Sequence, residues 1–127
     1  MPPALRVIDS ITQLTPVDAG CVAVSGSHGG VSSAHYALAA RPLLSVFNDA
    51  GVGKSDAGIA ALGILQADGL AACTVSHDSA CIGQAHSTLN EGTITHCNAA
   101  ALVLGAAPGQ RCSALVAALN AVNKIPR

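Results

Sequence analysis

The stretch 43–67, LLSVFNDAGVGKSDAGIAALGILQA, decides how the chain is read. Its first five residues, LLSVF, form a short and almost continuously apolar run. Such a run suits a strand covered on both faces, as in parallel sheets, rather than one with a wet side. The run breaks at Asn48 into the polar, glycine-rich segment NDAGVGKSD. From Lys54 to Ala67 the pattern is helical, with Ile59, Leu62, Ile64 and Leu65 apolar, and it stops before Asp68-Gly69. Strand, loop and helix in that order are the leading part of a βαβ unit.

The same grammar recurs on both sides. GCVAV (20–24) breaks into SGSHGG, and VSSAHYALAA (31–40) reads as a helix ended by Arg41-Pro42. LAACTV (70–75) is a third apolar run, broken by SHDS (76–79). RVIDSITQL (6–14) alternates as a half-exposed edge strand would. Further helices are expected near 80–89, 94–104 and 113–122, with a short strand near 93–95 as the alternative for part of the second. The fold class that follows is α/β: a single domain over 1–127, a small three-layer domain with a parallel sheet built from βαβ units.

Composition narrows the partners. The chain has 127 residues, enough for one core, and half of them are hydrophobic. Only 10% are charged, against roughly 25% in an ordinary domain, and the net charge is −1. That excludes a disordered chain and removes the electrostatic basis for nucleic-acid or anionic-lipid binding. One Tyr, one Phe and no Trp leave no stacking platform for single strands. The longest uncharged run, 92–110, is interrupted by His96, Asn98, Gly105, Pro108 and Gly109, so no membrane crossing is expected. Residues 1–10 lack the apolar core of a secretory signal. Five cysteines without a CxxC spacing fit reduced, mostly buried thiols in the cytoplasm. The segments 57–67, 94–104 and 113–122 carry no charge. Helices so apolar need covering, and a homo-oligomer is expected to supply it.

In a parallel sheet all post-strand loops open at one edge, where α/β folds bind small molecules. Here those loops are rich in polar chemistry, whereas the returns at 40–42 and 67–69 are plain. His77, His28, Asp49, Lys54 and Asp78 are the candidate catalytic groups. Ser27, Gly29, Gly30, Asn48, Gly51, Gly53, Ser55, Ser76 and Ser79 are the candidate ligand-binding residues. Glycine lets backbone N–H groups approach an anion, Lys54 supplies a clamp, and a histidine near a carboxylate supplies proton transfer. Each has a plainer role: glycine for turns, Asp78 or Ser79 as a helix cap, Lys54 in a solvated ion pair, Cys81 as a small buried thiol.

Gly53-Lys54-Ser55 match the end of the phosphate loop GxxxxGK[ST], but its first glycine falls on Asn48, so that loop is not assigned. His28, His77, His86 and His96 with Asp49 and Asp78 are metal-type ligands without metal-type spacing, and His35 falls mid-helix. No cofactor is expected. The reading is an enzyme, a hydrolase or lyase using general acid/base chemistry on a small anionic metabolite bearing a carboxylate or amide. The alternative is a noncatalytic module binding a small anion or nucleotide, or an assembly subunit.

Overall fold

The computed structural model describes residues 3–122. Residues 1–2 and 123–127, which the single-domain reading of 1–127 and the reading of the first ten residues include, lie outside them. Five strands form one sheet in the order β1-β2-β3-β4-β5: β1 (Leu5–Ile8), β2 (Val22–His28), β3 (Leu44–Asn48), β4 (Ala71–Val75) and β5 (Ile94–Cys97). The first four are parallel and β5 runs antiparallel to β4. The helices are α1 (Val31–Ala40), α2 (Ala60–Ala67), α3 (Ala85–Glu91), α4 (Ala99–Val103) and α5 (Cys112–Val122).

Every residue of β3 and β4 is buried, as their apolar runs require. Alternation then divides them between two cores. Val22, Val24, Leu44, Val46, Cys73 and Val75 face the layer containing α5, through Leu115 and Leu119. Ala23, Phe47 and Ala72 face α1 and α2, through Ala34, Ala37, Ala61 and Leu65. Alanines on both helices let them lie close to the sheet, and the chain's one phenylalanine fills the space beneath. The domain is a small three-layer α/β structure.

Several elements differ from the sequence reading. The first strand stops at Ile8. Ser10 then caps a 3₁₀ turn at Ile11–Gln13, accepting from the Thr12 N–H. The GCVAV strand continues to His28. The helix expected from Lys54 begins only at Ala60, because Ser55 and Asp56 adopt left-handed backbone angles that no right-handed helix contains. The helix expected from residue 80 begins at Ala85, after turns that include Gly83 at φ +83°. Asp9, at the end of β1, accepts the Ala85 N–H at 2.9 Å, a cap supplied from across the fold. The segment 94–104 divides into β5 and α4, separated by Asn98, whose side chain accepts from the Ala101 N–H. Among the described residues no helix is long and apolar enough to cross a membrane.

Candidate functional site

Beyond β3 the chain turns toward α2 on one face of the sheet. Beyond β4 it turns to α3, whose Leu89 joins the core on the opposite face. Adjacent parallel strands whose continuations part in this way open a crevice between their carboxyl ends. Asp49 follows β3 at this place and His77 lies just past β4.

The Asp49 side chain is only 6% exposed, and hydrogen bonds reach both of its oxygens. Its Oδ1 accepts from the Gly51 N–H at 2.8 Å and the His77 N–H at 3.1 Å, and its Oδ2 accepts from the Thr95 hydroxyl at 3.0 Å. Burial pushes this carboxyl upward. The Gly51 N–H, the Thr95 hydroxyl, the His77 N–H and the charge of His77 outweigh that, and its pKa ends below the ordinary value. The His77 ring stands over this anion, with Nδ1 3.6 Å from Asp49 Oδ1 and Nε2 3.3 Å from Asp78 Oδ1. The first distance suits an ion pair with a protonated ring and is too long for a hydrogen bond. The His77 side chain is about half exposed and lines a cavity of about 530 Å³ with Ala50, Asp78, Ser79, Cys81 and Glu91 among its other walls.

Local backbone chemistry holds this geometry. Ala50 and Val52 both have positive φ, and for a β-branched residue such as Val52 that is a strained conformation. Glycines bring the loop down on itself. A Cβ on Gly58 would lie 1.9 Å from the Asp49 carbonyl oxygen, and one on Gly51 would meet the His77 ring at 3.3 Å. Asn48 is fully buried; its Oδ1 accepts from the Ala50 N–H and its Nδ2 donates to the Ala80 carbonyl, tying the two loops together. Thr95 reaches Asp49 through a bulge. Thr74 pairs with His96 and Val75 with Ile94, leaving Thr95 as the extra residue, also 3.0 Å from the Thr74 hydroxyl.

The expected residues therefore divide. Asp49, His77, Asp78, Gly51 and Ser79 gather at the crevice. Ser76 and Ser79 make backbone bonds: Ser76 Oγ accepts from the Ser79 N–H, and Ser79 Oγ donates to the Ser76 carbonyl and accepts from the Thr93 N–H. No helix begins directly after Asp78 or Ser79 for either to cap. Ser27 accepts the Ile11 N–H. Gly29 is buried, and a Cβ there would lie 2.6 Å from the Gly58 carbonyl oxygen. His28 is exposed with its ring against Gly30, outside the cavity wall. Lys54, Gly53 and Ser55 are exposed on the loop, also outside it. Lys54 is not at an α-helix start, since α2 begins six residues later.

Thr95, Ser87 and Glu91 are the site residues that the sequence reading missed, and Cys81 is one that it weighed and expected to be buried. Cys81 is exposed rather than buried. Ser87 accepts the Cys81 N–H at 2.8 Å and donates to Glu91 Oε1 at 2.7 Å. Elsewhere burial pushes the Cys112 thiol up to about 12 and Cys73 well above its usual value. Among the described residues no group of three or more His, Cys, Asp or Glu side chains is placed to hold a metal ion. Comparison of the chain with protein-family models, curated proteins and solved structures finds no match.

Proposed function

We propose that the protein is a hydrolase or lyase acting on a small amide-bearing metabolite bound in the crevice beyond β3 and β4. The observation that carries this reading is the buried, hydrogen-bonded Asp49 carboxylate beneath the half-exposed His77 ring at a cavity wall. A fixed anion beside one ring nitrogen orients the imidazole, while the cavity side transfers protons. In hydrolysis His77 takes a proton from water as the water oxygen bonds to the amide carbon. It then returns that proton to the departing amine as the C–N bond breaks. Lys54, the expected clamp for a carboxylate or phosphate, lies outside the cavity wall, so the amide form of the substrate class is the one retained.

Noncatalytic binding is the second reading. It is favoured by the Ser79 hydroxyl, which both donates to and accepts from backbone, and by Ser76 Oγ serving as an acceptor for the Ser79 N–H. Turnover across a panel of small amides separates the two. His77→Gln and Asp49→Asn lower turnover about 10²–10⁴-fold if His77 is the acid/base. Full activity in both variants removes the catalytic reading.

The proposal includes a cytoplasmic setting, supported by five free cysteines, and self-association. α4 supports the latter by leaving Leu102 and Val103 exposed, the second at 87%. Light scattering that gives a clean monomer at micromolar concentration removes the self-association.

A further inference from the structure

The cavity beside His77 has a distinctive charge. Asp78 stands at one wall, its Oδ1 3.3 Å from His77 Nε2. Glu91, from the end of α3, stands at another, and the Ser87 hydroxyl donates to its Oε1 at 2.7 Å. Ser87 is buried and also takes the Cys81 N–H, so it fixes the carboxylate to the loop that carries the thiol. Ala50, Ala80 and Ile82 supply apolar surface between the polar groups. Among the described residues no lysine or arginine lines the space. Lys54 is exposed elsewhere on its loop, and Arg111 donates to the Asn90 carbonyl at 3.0 Å.

A concave space in which the carboxylates of Asp78 and Glu91 at the wall and Asp49 beneath it outnumber the one His77 ring keeps a net negative field whether or not that ring carries a proton. It attracts positive ligands and repels anions, and the exposure of Asp78 and Glu91 to solvent keeps that preference modest. We propose that the ligand of this crevice is a small organic cation, an ammonium or amidinium group on a short apolar frame, with Glu91 and Asp78 as the residues that set this selectivity. The charge expected from sequence is thereby reversed, because the acidic loop residues reach the cavity and Lys54 does not. The inference rests on the crevice being the substrate site, as proposed above, and adds the charge class of what enters it.

Benzylamine and benzoate, matched in size and opposite in charge, are suitable probes. Titration of each into the full-length protein, followed by amide and Ile82 methyl NMR shifts, reads both affinity and location. Benzylamine is expected to bind at the cavity residues at least about five-fold more tightly than benzoate, and the preference should shrink as salt rises. Glu91→Gln, which keeps a Ser87 partner, should remove most of that preference, as should Asp78→Asn at the exposed wall. Benzoate binding as well as benzylamine, neither probe binding at millimolar concentration, or a preference unchanged in both variants would overturn the assignment. Failure here is distinct from failure of the catalytic reading. An amide turned over only with His77 intact leaves that reading standing whatever the probes do, and a benzylamine preference stands even if His77→Gln is inert.

Discussion

His28 and His77 occupy similar places in the chain. Each lies at or just beyond the carboxyl end of a parallel strand, in a loop with serine beside it, and each is exposed. Their surroundings are opposite. Beneath His77 lies the buried Asp49 carboxylate, reached by three donors, and a cavity opens on the other side. The His28 ring lies against Gly30, and its backbone carbonyl accepts from the Ser33 hydroxyl as α1 begins. β3 lies between the two strands, and among the described residues its Asp49 carboxylate is set against His77, with no ion pair or hydrogen bond to His28.

The sharpest way to break this comparison is to exchange each ring for an amide. His77→Gln should cost about 10²–10⁴-fold in turnover of any amide found to be a substrate, while His28→Gln leaves it unchanged. Equal losses would abolish the distinction. Next in size is the backbone beneath Asp49. Gly58→Ala should destabilise the fold by about 3 kcal/mol in denaturant unfolding, since its Cβ meets a carbonyl oxygen rather than a movable side chain. Gly63→Ala, in α2 with open space around it, should instead stabilise by about 0.5–1 kcal/mol.

Thr95→Val removes a hydrogen bond to a buried carboxylate at nearly constant volume, and about 1.5 kcal/mol of stability should go with it. This loss depends on pH with a defined sign. The folded pKa of Asp49 lies below its unfolded value, so its stabilisation is present above the ordinary carboxylate pKa of about 3.9 and disappears as pH falls through the folded value. The gap between wild type and Thr95→Val should therefore close in acid, and a gap that widens there contradicts the assignment. The smallest loss is expected at Gly51. Its φ of +74° makes Gly51→Ala cost about 1 kcal/mol, and contact with the new methyl should alter the His77 ring signals but not those of His28.

Much of the frame was legible in the sequence because buried parallel strands have no wet face. The runs at 43–47 and 70–75 could hardly be anything else once helices were found between them, and α1 matches its expected bounds. The loop of 48–58 was not legible. Its left-handed residues include Val52, Ser55 and Asp56, where local preference favours other angles and tertiary contacts with Gly58 and Asp49 prevail. β5 was obscured by its continuity with α4, although β-branched Ile94 and Thr95 and the capping Asn98 mark the division. Asp49 and His77 could be named, but their pairing is 28 residues long in sequence and depends on β3 and β4 being neighbours. Thr95 had no local signal at all, since a bulge in pairing is a property of two strands. Cys81 was read as buried because small thiols usually are; the late start of α3 leaves it in a turn, exposed.

The account turns on Asp49 being a fixed anion under His77, and a ¹³C titration of its side-chain carboxyl tests that most directly. The wild-type resonance should titrate below the ordinary carboxylate range, and its midpoint should rise in both His77→Gln and Thr95→Val. A midpoint at or above the ordinary value, unmoved by either substitution, would contradict the pairing and with it the distinction between the two histidines.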